Sequence, residues 1–377
     1  MTPIRHAVAA SCVFDGVRVH RHAAVVIDGT RVTAIVARAE VPRGLAVHEL
    51  PDGGWLAPGL IDVQVNGGGD VLFNDAPTAE ALRTIAAAHR KLGTTALLPT
   101  LITDTEEKLA AALAALDRLG GTEPAVLGLH LEGPFLSPEK PGVHDRLLLR
   151  RPSERDAALI TAAHPGVVLV TLAPEMVPAD FIQRLAGAGV RVALGHSMAT
   201  YDQTRAAMAQ GLTGFTHLFN AMRPLRSREP GPIAAALESP DAFYGLIADG
   251  IHVAPAMLRL AMRGAGHPVL VSDAMPPVGG SKKTFKLYGE TVELRDGRCL
   301  KSGTLAGSCL DLITAVRNCM EMLGAPLTHA LQWASTNPAE FLGLGSSLGK
   351  LAPGYRADMV ALDRDLHVIA TWVAGAA

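Results

Sequence analysis

The sequence predicts an α/β fold: a (βα)8 barrel of the TIM type with a small β-sandwich formed by the N- and C-terminal segments. Three observations predict it. Short apolar runs alternate with amphipathic stretches through the middle of the chain, the runs number eight, and at both ends the pattern changes to short β-branched runs separated by turn residues. Alternating strand and helix patterns imply a parallel sheet, and eight units over roughly 200 to 300 residues imply closure into a barrel. No GxGxxG follows any of the runs, so a doubly wound open sheet lacks its dinucleotide fingerprint.

Taken in order, residues 7–14 form an apolar run too short to span a membrane and without a small-residue cleavage site behind it, which reads as a strand rather than a leader. Residues 17–20, 23–28 and 32–36 are β-branched runs set apart by Asp15-Gly16 and Asp28-Gly29, both hairpin signals. The C-terminal piece has the same character, with runs at 357–362 and 367–373 around Asp363 to Asp365. The two ends are expected to pair outside the barrel, giving a sandwich from 1–56 with 353–377 and a barrel over 57–352.

The eight barrel runs are 60–65, 95–100, 126–131, 167–173, 190–195, 214–218, 244–248 and 268–272. Amphipathic stretches at 79–92, 106–119, 178–188 and 201–210 separate several of them, and helices at 310–323 and 327–333 complete the cycle. Residues 282–301 interrupt it. Two short strands, 285–288 and 291–294, and the turn Asp296-Gly297 predict a hairpin over the barrel mouth or beside it.

Composition limits the function. In 377 residues, 49% apolar and 19% charged, the chain can bury a large core and is neither disordered nor fibrous. Lysine plus arginine (34) nearly balance aspartate plus glutamate (36), so no broad positive field invites nucleic acid, and no segment reads as a membrane span. Cys12, Cys299, Cys309 and Cys319 make no CxxC pair, which suits free thiols in a reducing, cytoplasmic setting.

The chemistry lies at the strand ends. Glu132 follows the run 126–131, His196 follows 190–195, His217 and His252 come at or after the next runs, and Asp273 closes 268–272. Ligands at the carboxyl ends of separate strands are how such a barrel builds a metal site. Imidazole nitrogen with carboxylate oxygen suits zinc or a neighbouring first-row divalent ion, and three protein ligands leave a position for water. Glu132, His196 and His217 supply three. The 21 residues from His196 to His217 are one short βα unit, which puts the two on adjacent strands. Any one histidine among 14 is ordinarily a surface or hydrogen-bonded core residue, and Asp273 could be a helix cap; their joint placement at strand ends favours a site.

Eight blocks in register carry a resemblance: Pro58-Gly59-Leu60-Ile61-Asp62, Leu131-Glu132-Gly133-Pro134-Phe135, Gly195-His196-Ser197, Thr216-His217-Leu218-Phe219-Asn220-Ala221-Met222, Arg228-Glu229-Pro230-Gly231, Asp249-Gly250-Ile251-His252, Ser272-Asp273-Ala274 and Gly303-Thr304-Leu305-Ala306-Gly307-Ser308. Together they resemble the N-acetylglucosamine-6-phosphate deacetylase family of the amidohydrolase superfamily. The resemblance implies hydrolysis of the acetamide of N-acetylglucosamine 6-phosphate to glucosamine 6-phosphate and acetate. It implies one divalent ion per subunit, zinc first and iron, cobalt or manganese as alternatives, on Glu132, His196 and His217. Asp273 would be the general acid/base and His144 would face the amide carbonyl. Gly142, Val143, Asn220, Ala221, Arg228 and His252 would surround the phosphorylated sugar, and Leu305, Ala306 and Gly307 would line the sugar or acetyl pocket.

A single ion is expected because the first strand reads Asp62-Val63-Gln64-Val65-Asn66 rather than His-x-His, and an amide is a poor ligand for a second one. Gln64 is then expected to be free to bond the attacking water. Of Arg223, Arg226 and Arg228, the last is favoured for phosphate because it lies in the Arg-Glu-Pro-Gly block; Arg223 stands where the family often has proline. The family's phosphate contacts can cross a dimer interface, so a homodimer is expected. An N-acetylgalactosamine 6-phosphate variant shares every block quoted, and a scaffold that has lost catalysis is a remote alternative. A cyclic-amide hydrolase would want a lysine in 167–173, which has none.

Overall fold

Buried parallel strands need continuous apolar faces and crossovers long enough to carry a helix, and the eight apolar runs with the stretches between them meet both conditions. In the computed structural model, which describes residues 5–377, they form one eight-stranded sheet. Its strands in chain order are Leu60–Val65, Thr94–Ile102, Gly128–Glu132, Val167–Leu172, Arg191–Leu194, Gly214–Phe215, Phe243–Leu246 and His267–Leu270, each parallel to the next. The ring closes just beyond the eighth strand. Asn66 donates its backbone N–H to Ala274 O at 2.9 Å, Asp273 donates to Gln64 O at 3.0 Å, and Val65 bridges Ala274. Asp273 is therefore part of the seam.

Helices pack outside. Glu106–Leu119 has the predicted limits because Thr105 caps its N-terminus through Lys108 N and Gly120 ends it in the left-handed region at φ 56°. Ala79–Arg90, Phe181–Gly187, Tyr201–Ala209, Leu312–Leu323 and Leu327–Ala334 lie within the predicted stretches or a residue beyond. Four further helices, Glu154–Ile160, Gly231–Glu238, Pro255–Ala261 and Thr336–Phe341, lie outside the predicted stretches. No described helix is long and apolar enough to cross a membrane.

The terminal segments pair as expected, in a seven-stranded sheet that joins Met359–Leu362 and Val368–Trp372 to strands from the N-terminal region. Residues 1–4 of that region lie outside the described residues. Alternate side chains bury on opposite faces: Val8, Val25 and Ile27 join Leu56, Met359 and Trp372, whereas Ala7, Ala9, Ala24 and Val26 pack on Val41, Leu45 and Val47. The strands depart from expectation in two places. Residues 17–20 and 23–28 are not separate strands but one, Val19–Asp28, because the whole length pairs with Arg5–Phe14. The interruption is larger than a hairpin: Thr284–Leu287, Glu290–Arg295, Arg298–Lys301 and Thr304–Ser308 make a four-stranded antiparallel sheet. The Tyr288 hydroxyl donates to Thr103 O at 2.5 Å, holding this sheet over the barrel mouth.

Candidate functional site

Glu132 is the last residue of the third barrel strand, while His196 and His217 stand two residues beyond the fifth and sixth. A residue that leaves a strand and turns its side chain inward at once must abandon extended geometry. His196 (φ 48°), His217 (φ 32°) and Asp273 (φ 52°) all occupy the left-handed region, as does Ala221 (φ 49°). Each such non-glycine residue costs about 1–3 kcal/mol, which surrounding structure must over-determine, and such strain gathers where side-chain aim matters.

The three side chains converge. Glu132 Oε1 lies 3.2 Å from His196 Nε2 and 3.0 Å from His217 Nε2, and the two nitrogens are 3.1 Å apart. His196 Nδ1 donates to Lys140 O at 2.8 Å, so its proton is on that nitrogen and Nε2 points inward with a free lone pair. Gly142 permits the approach: a Cβ there would sit 3.0 Å from His196 Cε1, at φ 56°. His217 Nδ1 is buried without a partner.

Charge follows geometry. Burial alone would raise the Glu132 carboxyl, but His196 and His217 beside it outweigh burial and hold it well below the usual range. Burial depresses His217, yet the Glu132 carboxylate overrides that and lifts it. Two nitrogens and a carboxylate oxygen packed this closely repel unless something positive sits among them. The donor set, its spacing and the inward lone pair of His196 all fit a divalent cation of the zinc class.

Asp273 faces the trio from the seam. Gln64 Nε2 donates to both Glu132 Oε2 (3.1 Å) and Asp273 Oδ1 (3.2 Å), and Asn66 Nδ2 donates to the same Oδ1 at 2.7 Å. Burial, then the Glu132 charge, push the Asp273 carboxyl up to about 6 against the pull of His217, His252 and Asn66. The Gln64 amide nitrogen thus braces two carboxylates, and its amide oxygen is what remains for a water. Asn66 was not singled out from the sequence. The signal was available, since residues two apart on a strand face the same way and Gln64-x-Asn66 fills the His-x-His positions.

His144 closes another side. Its ring lies 4.4 Å from the His196 ring, and its Nδ1 accepts from Thr103 N at 3.3 Å, which leaves the proton on Nε2. Burial, with His196 beside it, drives the imidazole down to about 3, so it is neutral. Thr103 is a second residue the sequence did not flag.

These groups open into a cavity of about 190 Å³ whose walls include Gly142, Val143, His144, Asn220, Ala221, His252, Asp273, Leu305 and Gly307. His252 is held there by Asp249, whose Oδ2 lies 2.6 Å from Nδ1. Two expected residues are elsewhere. Ala306 is buried on the opposite face with Leu287, Val292 and Cys299, because side chains alternate along Thr304–Ser308. Arg228 is exposed on the loop before Gly231–Glu238 and does not line this cavity. Arg223 is structural: its Nε donates to Met198 O at 2.8 Å.

The amidohydrolase family matches residues 55–377. An N-acetylgalactosamine-6-phosphate deacetylase of Shewanella sp. (strain ANA-3) is 44% identical over 327 residues, 85% of this chain and 82% of the relative. An N-acetylglucosamine-6-phosphate deacetylase of Haemophilus influenzae is 32% identical over 378 residues, 99% of each chain. The crystal structure of N-acetylglucosamine-6-phosphate deacetylase from Pasteurella multocida superposes with a TM-score of 0.95 at 34% identity, covering 98% of both chains.

Proposed function

The chain belongs to the amidohydrolase family, and from that premise we propose that it deacetylates an N-acetyl amino sugar 6-phosphate, releasing acetate and the free amine. The observation that carries the proposal is the convergence of Glu132, His196 and His217 on one point, with Asp273 beside them in the lining of the same cavity. Relatives named for this chemistry on the gluco and galacto epimers support it. N-acetylglucosamine 6-phosphate is the leading substrate, and the 44% identity to the Shewanella enzyme keeps N-acetylgalactosamine 6-phosphate as the second reading.

Glu132, His196 and His217 would hold one divalent ion, zinc first. When bound, the ion supplies Lewis acidity, which acidifies water and polarises an amide oxygen. The rest belongs to side chains. Gln64 and Asn66 both donate to Asp273 Oδ1, leaving Oδ2 to take a proton from the attacking water. Asp273 then returns that proton to the departing amine nitrogen, so one carboxyl serves both steps and ends as it began. His144, neutral with its proton on Nε2, donates to the carbonyl oxygen as negative charge develops; a well-aimed donor of this kind contributes on the order of 3 kcal/mol.

His252, steadied by Asp249, and the Asn220-Ala221 turn are read as sugar-phosphate contacts, with Gly142 and Val143 beside them and Leu305 and Gly307 against the sugar or acetyl group. Arg228, exposed and outside its own cavity, is read as reaching the phosphate bound by a second copy in a homodimer. Free cysteines among the described residues are in keeping with a cytoplasmic setting. The test is acetate release from both epimeric 6-phosphates by protein of known metal content. No release from either substrate by fully loaded protein would remove the assignment.

A further inference from the structure

The four-stranded sheet over the barrel mouth contains two thiols that the chemistry above does not use. Cys299 lies on Arg298–Lys301, fully buried among Ile102, Met275, Leu287 and Val292. Cys309 follows Thr304–Ser308 directly and is half-buried. Their sulfurs are 2.8 Å apart. A disulfide measures about 2.05 Å, so the two atoms need close by only ~0.8 Å to bond. The strand register shifts between Arg298 and Leu300, which places Cys299 in the irregularity beside Ser308 and Cys309.

Their position ties them to the site. Ser308, the neighbour of Cys309, donates its N–H to Asp273 O at 2.9 Å, accepts from Met275 N at 2.9 Å, and donates Oγ to Ser272 O at 2.5 Å. Gly307, one residue earlier, lines the cavity. The pair therefore brackets the stretch that forms one cavity wall and grips the segment carrying Asp273.

We propose that Cys299 and Cys309 are a hydroperoxide-responsive dithiol whose disulfide fixes this wall and reversibly slows turnover. Cys309 is the attacking thiol. It is the more exposed of the two, and the hydrogen bond from Cys299, helped by the Lys283 charge, lowers its pKa against the effect of burial, while Cys299 is raised by the same hydrogen bond and by burial. The Cys309 thiolate attacks one peroxide oxygen, the O–O bond breaks, and sulfenic acid and hydroxide result. The Cys299 sulfur then attacks the sulfenyl sulfur; S–S forms, S–O breaks and water leaves, its last proton coming from the Cys299 thiol. Two thiols lose two electrons and the peroxide gains two.

The experiment uses the full-length, metal-loaded protein, treated with hydrogen peroxide, alkylated and digested with trypsin. Cleavage after Arg298 and Lys301 puts the two cysteines on separate peptides. The expected product is those peptides joined, about 2 Da below their summed mass and separated again by dithiothreitol, with buried Cys12 and Cys319 still alkylated. Free alkylation of both Cys299 and Cys309 after treatment, or sulfinic acid at Cys309 with no joined peptide, overturns the proposal. In parallel, turnover of the oxidised wild type should fall about threefold or more and recover on reduction, while Cys309→Ser keeps its rate under the same peroxide. A joined peptide with no loss of rate beyond that of Cys309→Ser overturns the regulatory half. The rate arm rests on the deacetylase reading and the mass arm does not, so failure of one is distinguishable from failure of the other.

Discussion

At the scale of single residues, the site is a set of side chains aimed by strained backbone and braced by amides. Asp273→Asn keeps an oxygen in place to accept from Gln64 and Asn66, so fold and metal content should be retained while turnover falls on the order of 10²-fold or more from lost proton transfer. A near-native rate in that variant, with metal present, would take Asp273 out of the mechanism. The aspartate, glutamate and two of the histidines were readable from strand-end position. Asn66 and Thr103 were not, because an amide and a hydroxyl in a strand usually only satisfy backbone groups; what gives them meaning is the atom each one meets.

At the scale of elements, the loop after the third barrel strand carries His144 and is anchored by the helix Glu154–Ile160. Ser153 and Asp156 form a reciprocal cap at its start, and Arg150 binds Asp156 through both oxygens, at 2.5 and 2.7 Å. Burial pushes the Asp156 carboxyl up, but Arg150 and the Ser153 donors outweigh it and leave it below the usual range. A carboxyl whose pKa is lower in the folded state stabilises that state fully above its unfolded pKa of about 4, and the contribution is lost as pH falls through the lower folded value. Asp156→Asn should therefore cost about 1–3 kcal/mol at neutral pH. Its gap from wild type in urea midpoint should stay flat from pH 7 to about 5 and shrink below about 4. A gap that holds constant down to pH 3 would show that the carboxylate charge is not what stabilises the cap.

At the scale of the molecule, a divalent ion and a second copy are the two additions we propose for the site. Two imidazole nitrogens and a carboxylate oxygen lie within 3.2 Å of one another, a spacing that one divalent cation can share. A cation that binds only the folded form adds about 2.7 kcal/mol at a hundredfold excess over its Kd. Stripping the metal with a chelator should lower the melting temperature by several degrees and zinc should restore it, whereas Glu132→Gln should show little response. An equal response in the variant would point to another ion site. For the second copy, Arg228→Ala should raise KM for a 6-phosphorylated sugar far more than for its unphosphorylated counterpart, leaving kcat nearly unchanged. Equal effects on the two sugars would end the phosphate role.

By itself the sequence determined the eight strands, their parallel order, the pairing of the two ends, and the strand-end placement of Glu132, His196, His217 and Asp273, because strand periodicity and strand-end polarity are local properties written in a few neighbouring residues. Only the tertiary structure decided that the Gln64 amide nitrogen braces two carboxylates, that Ala306 faces away from the cavity, that Arg228 is exposed and away from that cavity, and that the excursion after the eighth strand is a four-stranded sheet with paired thiols. Each of these depends on which distant segments meet across the barrel seam and mouth, and a contact between positions some 200 residues apart, such as Gln64 with Asp273, leaves no mark on the local pattern of either.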